Sequence, residues 1–139
     1  MTRTGYRLLP HTADLLVEVR AEDFPDVCAA SVEALYSLLT DRRRIRPAER
    51  RTFHSGPGAP EETLRSLLRQ ALLLFSLHRF LVRDASATMK GRRVDVTVRG
   101  ERFDGARHPV HREVKAVTAH ALAVREGPSG FTARFVLDV

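Results

Sequence analysis

The sequence predicts an α+β fold in which two helices pack on a mostly antiparallel β-sheet. Two segments of the first half, residues 23–41 and 60–77, carry apolar side chains at helical spacing. From residue 80 onward, β-type segments are separated by turns that contain glycine. Helices and strands do not alternate regularly along the chain, as they do in proteins built on a parallel sheet.

The composition is that of one globular domain, and we expect this domain to cover residues 1–139. Hydrophobic residues make up 43% of the chain, which is enough for a core, and no apolar run approaches the roughly 20 residues that span a bilayer. The start of the sequence lacks the apolar stretch of a signal peptide. The single cysteine, Cys28, excludes an internal disulfide and a cysteine-rich metal site. We therefore expect a cytoplasmic protein without membrane contact.

The first predicted elements are two short strands and a helix. The segments GYRLL and DLLVEVRA have β-type composition, and Pro10 with the HTAD sequence at 11–14 interrupts them. The helix follows over DFPDVCAASVEALYSLLTD, where Asp23 can cap the amino end and Pro25 is tolerated in the first turn. Cys28 falls on the apolar face of this helix, which predicts a small buried hydrophobe.

A basic connection leads to a short predicted strand near RRTFH and then to the second helix. Pro60 opens this helix, and Glu61 and Glu62 suit its positive end. Its apolar residues form a wide face that Leu73 and Leu77 extend. We therefore expect it to be the more buried of the two helices.

The second half of the chain predicts two β-hairpins. The segments FLVRDASATMKG and RRVDVTVRGE flank a turn at Gly91. The segments REVKAVTAHALAVREG and GFTARFVLDV flank a second turn, REGPSG. Because the strands of a hairpin are antiparallel, these segments predict an antiparallel sheet.

Strand alternation over residues 113–124 separates two groups of side chains. It places His120 on an apolar face, and Glu113 and Lys115 together on the opposite face. His120 is then either a hydrogen-bonded core histidine or a functional group. Glu113 and Lys115 are either an exposed ion pair, worth under about 1 kcal/mol, or functional residues. The chain has 21 arginines and two lysines, so Lys115 is a candidate for a site that requires a compact ammonium group.

An aspartate lies beside an apolar strand near each end of the sequence. Asp14 precedes LLVEV, and Asp138 stands in the final segment RFVLDV. Asp14 has an ordinary explanation as a turn residue, and Asp138 as part of a frayed tail. If the first and last strands are neighbours, however, the two carboxylates meet, and like charges in contact need a shared proton or cation. A hard divalent ion with oxygen ligands would satisfy both.

Other kinds of site find little support in the sequence. It contains no glycine-rich phosphate loop, no nucleophile elbow and no cysteine–histidine pair, and its six histidines lack a zinc spacing. The basic segment Arg42–Arg51 either contacts phosphate or is a solvated loop. With no tryptophan and two tyrosines, the chain offers no aromatic platform for stacked nucleic-acid bases.

Four motifs resemble those of the archease family. They are HTAD at 11–14, ASVEALYSLLTD at 30–41, EVKAVTAHALAV at 113–124 and ARFVLDV at 133–139. The family typically shows an H-T/A-A-D turn, a helix that ends L-x-x-L-M-T-D, an E-[IV]-K-A-V-T-x-H strand and a closing [VI]-x-D-[VI]. The four motifs occur in this order over most of the chain, which makes the resemblance specific.

The resemblance implies that the chain is an accessory protein and not an enzyme. Archeases assist the GTP-dependent RNA ligase of the RtcB type, which joins RNA ends bearing a 3′-phosphate or a 2′,3′-cyclic phosphate in tRNA splicing and RNA repair. The ligase first attaches guanylate to one of its own histidines, and the archease accelerates this step and allows multiple turnover. GTP would then bind to the partner, and any contact between this chain and RNA would be indirect.

The resemblance also assigns roles to residues. The family's turn aspartate and penultimate aspartate, with the carbonyl of the final residue, bind a divalent metal; these positions correspond to Asp14, Asp138 and Val139. The ion would be Ca²⁺ or another hard cation such as Mg²⁺ or Mn²⁺. Lys115 belongs to the same functional end. The residues expected to act on the partner are Lys115, Glu113, His120 and His11.

Two positions depart from the family pattern. Gln70 stands where the second helix often carries an acid, which puts in doubt any polar contact made through that helix. The first strand has DLLVEV where D-[IV]-G-[IV] is common, a change that leaves the predicted core unaffected.

An alternative function belongs to another class: an RNA-binding or chaperone-like module for RNA-modifying enzymes that acts through Arg42–Arg51. Binding that weakens steeply with salt would favour this alternative. A requirement for Asp14 and Asp138 would favour the ligase cofactor instead. An independent metal-dependent hydrolase has the least support, because no positioned nucleophile or base is visible.

Overall fold

The computed structural model describes residues 4–9 and 14–139. Within these ranges the chain forms two α-helices, α1 (Phe24–Leu39) and α2 (Pro60–Ser76), a short 3-10 helix (Arg42–Arg44) and eight β-strands. No helix in this part of the chain is long and apolar enough to cross a membrane. The strands are β1 (Gly5–Leu9), β2 (Leu15–Ala21), β3 (Glu49–His54), β4 (Phe80–Lys90), β5 (Arg93–Arg102), β6 (Ala116–Val117), β7 (Ala123–Gly127) and β8 (Gly130–Asp138).

The strands form two sheets, and every strand pair is antiparallel. The first sheet has the order β1-β2-β8-β6, with β7 also paired to β8, and the second has the order β3-β5-β4. The α+β prediction is therefore confirmed, with two sheets where the sequence suggested one. The two sheets arise because β8 pairs with β2, from the start of the chain, and not with the β4–β5 hairpin that precedes it.

Helix α1 begins as the sequence predicts and ends at Leu39, two residues before the end of the predicted segment. The carboxylate of Asp23 accepts a hydrogen bond from the backbone N–H of Asp26 at 2.9 Å, which satisfies one of the free donors at the helix start. After Leu39, Thr40 is extended, and its hydroxyl donates to the carbonyl of Pro109 at 2.6 Å. Cys28 is fully buried in the core, which confirms the prediction of a small buried hydrophobe, and burial raises the pKa of its thiol to about 12.

Helix α2 begins at Pro60 and packs beside α1. The Tyr36 hydroxyl, fully buried, donates to the carbonyl of Ala71 at 2.7 Å and joins the two helices. The expectation that α2 is the more buried helix is wrong. Leu73 and Leu77 are exposed near its carboxyl end, whereas most of α1 is covered by strands of both sheets.

The two predicted hairpin turns are present. Strands β4 and β5 are joined through Gly91 and Arg92, and Gly91 takes the positive φ of 62° that a tight turn requires. Strands β7 and β8 are joined through Pro128 and Ser129. Gly100 in β5 permits close packing, because a Cβ at this position would collide with the carbonyl of Leu81.

The prediction of one continuous strand over 113–124 is wrong. The chain forms β6 and β7 instead, and both pair with β8. Between the paired positions Val117–Leu137 and Ala123–Arg134, this edge of the sheet contains five residues and β8 contains two. The three extra residues loop out in a turn where Ala121 has a φ of 58°. The alternation of side chains between the two faces of a strand does not continue through such a turn.

A buried polar cluster fixes the segment that follows β5. The Glu101 carboxylate lies 2.7 Å from Nη2 of Arg107 and 2.9 Å from Nε2 of His108, and it accepts the backbone N–H of Arg46 at 2.8 Å. Nδ1 of His108 accepts the N–H of Asp104, so Nε2 carries the proton directed at Glu101. The hydrogen bond from Arg107 is the largest influence on Glu101 and lowers its pKa to about 2.

Candidate functional site

The register of β2 and β8 brings the two aspartates of the sequence motifs to one end of the first sheet. Leu15 pairs with Leu137, Asp14 directly precedes Leu15, and Asp138 directly follows Leu137. Asp14 and Asp138 are both half-buried. Continuing the register by one residue in each strand sets Asp14 beside Asp138.

Strand alternation also assigns the two aspartates to one face. In β2 and β8 most residues that face the helices are fully buried, among them Val17 and Phe135. Asp14 lies on the opposite face together with Glu18, four residues along the chain. Asp138 lies on this same face together with Arg134 of β8. This outer face of the first sheet therefore carries both carboxylates.

Asp138 is held by the sheet on its other side as well. It pairs with Ala116 of β6, and its carbonyl accepts the backbone N–H of Lys115 at 2.7 Å. Two residues back along β8, the carbonyl of Val136 accepts the N–H of Thr118 at 3.0 Å. The interpretation of Asp138 as part of a frayed tail is therefore wrong, because hydrogen bonds to β6 fix its backbone.

Lys115 and Glu113 lie at the rim of a cavity of about 600 Å³ beside this end of the sheet. Its lining includes Leu72, Phe75 and Phe103, and the two rings meet edge to face at 5.6 Å between centroids. Lys115 and Glu113 are both exposed, and within residues 14–139 no salt bridge joins them. Lys115 thus connects the backbone of Asp138 with an apolar cavity that has cationic groups at its rim.

His120 occupies the turn between β6 and β7 and not the core. Its side chain is exposed, and its backbone N–H donates to the Thr118 hydroxyl at 3.1 Å. The placement of His120 on an apolar strand face is therefore wrong, because the strand ends at Val117. His11, the other histidine assigned to partner contacts, lies outside the described residues.

The donor groups at the Asp138 end suit a hard cation better than a soft one. Asp14, Asp138 and the main-chain oxygen of Val139 would offer oxygen alone, as Ca²⁺, Mg²⁺ and Mn²⁺ prefer. Over residues 4–9 and 14–139 no three side chains of histidine, cysteine, aspartate or glutamate are grouped so that they could hold a metal. A bound ion would therefore need main-chain oxygens and water beside the two carboxylates.

Gln70 uses its amide in a way that a carboxylate could not. Its Nε2 donates to the carbonyl of His54 at 2.9 Å and to the Ser66 hydroxyl at 3.2 Å. An ionised acid has no proton to donate to a carbonyl. Gln70 therefore ties α2 to the end of β3.

The basic segment Arg42–Arg51 is largely structured. Arg42 donates to the Ser37 hydroxyl and to the carbonyl of Arg83, and Arg43 forms a bidentate pair with Asp41. Arg51 belongs to β3 and lies over the Phe80 ring at 4.5 Å. Several of these arginines already have partners in the fold, which leaves less free positive charge than the sequence suggests.

The sequence interpretation missed a cluster of arginines around Glu18. Glu18 is only 3% exposed, and it accepts from Nε of Arg7 and Nε of Arg134 at 2.8 Å each, with Arg20 at 3.6 Å. Burial opposes ionisation, but the hydrogen bonds from Arg7 and Arg134 outweigh it and lower the pKa of Glu18. The available signal was the pair of charged residues Glu18 and Arg20 at alternate positions of a predicted strand, and its meaning depended on the neighbouring strands.

Comparisons with known proteins agree on one family. A family model described as the archease protein family (MTH1598/TM1083) matches residues 6–139. A curated relative named Protein archease, from Methanopyrus kandleri, is 30% identical over 135 residues, which cover 94% of this chain and 96% of the relative. The Protein archease of Thermococcus gammatolerans is 28% identical over 134 residues, covering 93% of this chain and 94% of the relative.

A solved structure shares the fold. The solution structure of Methanobacterium thermoautotrophicum protein 1598 matches with a TM-score of 0.82 and covers 97% of this chain and 99% of its own. Sequence identity between the two is 22%. This likeness confirms the predicted fold class.

Proposed function

The chain belongs to the archease family, and from this premise we propose that it is an accessory protein of a GTP-dependent RNA ligase of the RtcB type. In this role it promotes guanylylation of the ligase and allows multiple turnover in tRNA splicing or RNA repair. The ligase, and not this chain, binds GTP. This role is the one that the resemblance of the four sequence motifs to the family implies.

One observation carries most of the proposal: β8 lies between β2 and β6. That order sets Asp14 beside Asp138 on one side, and on the other side it joins the Asp138 carbonyl to the N–H of Lys115 at 2.7 Å. Residues from three distant parts of the sequence, each within a family motif, thereby converge at one sheet end. A functional end built this way is small, polar and partly exposed, as a surface that enters a partner's active site needs to be.

We propose that Asp14, Asp138 and the main-chain oxygen of Val139 hold a divalent cation, Ca²⁺ or another hard ion such as Mg²⁺ or Mn²⁺. When bound, the cation supplies concentrated positive charge that can organise a phosphate group of the partner's nucleotide. The chain's own residues fix the position of the two carboxylates through the β2–β8 ladder. The compact ammonium of Lys115 adds a second positive charge next to this end.

The proposal is tested by guanylylation of the purified ligase with and without this chain at matched protein concentrations. We expect Asp138→Asn to abolish the stimulation, because an amide removes the negative charge that a hard cation requires. Glu22→Gln is the matched control, since Glu22 is an exposed acid directly after the far end of β2. Stimulation by Asp138→Asn at the wild-type level would overturn the site assignment. Absence of stimulation by the unmodified chain would overturn the function.

A further inference from the structure

The outer face of the first sheet forms a charged groove that the proposed function does not use. A hollow of about 760 Å³ lies over β2, β7 and β8, and a smaller one of about 340 Å³ over β1 and β2 shares its walls. Both hollows are lined by Glu18 and Arg20. The groove therefore runs across the sheet, perpendicular to its strands.

Four strands each contribute one arginine to this groove. Arg7 and Arg134 flank Glu18 in one transverse row, because Arg7 pairs with Glu18 and Glu18 with Arg134. Arg20 and Arg125 flank Thr132 in the next row. The side chains of Arg7, Arg20 and Arg134 are 60%, 60% and 49% exposed, so their guanidinium groups remain accessible to a ligand.

Glu18 orients these arginines without neutralising them. Its carboxylate engages Nε of Arg7 and Nε of Arg134, which leaves their terminal nitrogens as donors for a further acceptor. The groove contains four arginines and two acids, Glu18 and Glu126, which is a net charge of +2. Guanidinium forks held in fixed positions favour planar or tetrahedral oxyanions, and phosphate above all.

The floor of the groove suits one of two anionic partners, a nucleic-acid strand or an acidic protein, better than the other. A protein surface normally docks on a patch with an apolar centre. Here the residues on the groove side between the arginines are small or polar: Ala123, Gly127, Ser129, Gly130 and Thr132. Phe131, which also lines the hollow, packs against Phe24 of α1. Such a floor has no large apolar side chain at its centre, and it allows a narrow, flexible chain of phosphates to approach the backbone closely. Charge and shape therefore favour a nucleic-acid strand over an acidic protein.

We propose that this groove binds the phosphodiester backbone of single-stranded RNA through Arg7, Arg20, Arg125 and Arg134. The binding is independent of base sequence, because the arginines contact phosphate and the two aromatic residues of the lining, Tyr6 and Phe131, pair with the buried Val19 and Ala21 on the core-facing side of the sheet. Asp138 lies on the same face of β8, four residues from Arg134 and roughly 13 Å away at the rise of an antiparallel strand. On the proposed ligase function, an RNA strand in the groove would lead toward the Asp138 end.

The experiment measures binding of a short fluorescein-labelled single-stranded RNA to the isolated chain by fluorescence anisotropy over a series of salt concentrations. The variant is Arg20→Gln with Arg125→Gln, which leaves the close Glu18 contacts of Arg7 and Arg134 in place. We expect binding to weaken about tenfold or more, and the slope of log K against log salt to become shallower by about 1.4, or 0.7 for each lost phosphate contact. The matched control is Arg50→Gln with Arg102→Gln, two exposed arginines of the second sheet.

Three results would overturn the proposal. The first is an unmodified chain that binds no RNA, and the second is equal loss in the two double variants, which would indicate diffuse attraction to net charge. The third is a poly-glutamate peptide that competes as well as unlabelled RNA, which would indicate an acidic protein partner. All three are measured without the ligase, so they leave the Asp138→Asn test of the proposed function unaffected.

Discussion

At the scale of single residues, a substitution of Lys115 can test whether the site needs only a positive charge or also the compact shape of the ammonium group. Lys115→Arg retains the positive charge but replaces a compact ammonium with a planar fork. We expect stimulation of ligase guanylylation to fall, while the midpoint of thermal unfolding changes by no more than about 2 °C, because Lys115 is exposed. The control is Lys90→Arg, at the β4–β5 turn, the other lysine of the chain. Full stimulation by Lys115→Arg would mean that any cation suffices there.

Glu101 makes the stability of the fold depend on pH. Its pKa falls from 4.5 to about 2 in the folded chain, chiefly because Arg107 donates to its carboxylate. A carboxyl whose pKa is lower in the folded state stabilises the fold above its unfolded pKa, and this contribution disappears as the pH falls toward the folded value. We therefore expect Glu101→Gln to unfold at lower urea concentration than the wild type at pH 7, and the difference to shrink between pH 4.5 and about 2.

Urea unfolding followed by circular dichroism at several pH values measures this effect. Glu113→Gln is the control, since Glu113 is exposed and should leave the pH profile unchanged. A Glu101→Gln difference that stays constant down to pH 2 would show that the cluster stabilises through packing and not through charge.

Residues of the candidate site differ in how far the sequence predicted them. Asp14 and Asp138 could be connected in advance, because each is an acid at a defined end of an apolar strand. His120 could not be placed correctly, since its position depends on where β6 ends. The arginines around Glu18 were not recognised, because they come from three strands, and only long-range pairing brings β8 beside β2.

At the scale of elements, β8 is held by three neighbours, and its last residues should be needed for function more than for folding. Removing Asp138 and Val139 deletes one pairing with β6 and little apolar area, roughly one valine side chain or about 1.5 kcal/mol at most. We expect the truncated chain to fold, because Phe135 and Leu137 remain in the core. It should fail to stimulate guanylylation, since Asp14 alone offers too few oxygens for a divalent ion.

The truncation is measured with the same guanylylation assay, after circular dichroism has established that the variant is folded. Its control is the full chain with Val139→Ala, which keeps Asp138 and all main-chain oxygens. A truncated chain that stimulates as well as the wild type would mean that Asp138 has no functional role.

Elements with local signals were the ones the sequence predicted well. The cap at Asp23, the proline at the start of α2 and the turn at Gly91 each act within a few residues of the chain. The division of residues 113–124 into β6 and β7 has no local signal of comparable strength. The division arises because β6 and β7 pair with β8 in two different registers, and these registers depend on β8 as well as on residues 113–124.

At the scale of the whole molecule, the α+β class was predictable but the separation into two sheets was not. Helix spacing and hairpin turns indicate which elements exist, whereas the sheet order depends on contacts between distant segments. Leu15 and Leu137 pair across most of the chain, and nothing near either residue in the sequence reports the other. The candidate site lies at that pairing. From the sequence, the meeting of Asp14 and Asp138 could therefore be predicted only on the condition that the first and last strands are neighbours.

The position of β8 also has a consequence for synthesis. β8 follows every strand with which it pairs, so the first sheet lacks its central member until residues 130–138 leave the ribosome. At ordinary translation speeds, β2 would wait roughly 5 to 20 seconds for its neighbour. During that interval one edge of β2 lacks its hydrogen-bonding partner, and an unpaired strand edge can pair with another chain. The same late segment that completes the sheet carries Asp138, so a chain interrupted before it would lack both the finished core and the proposed metal ligand.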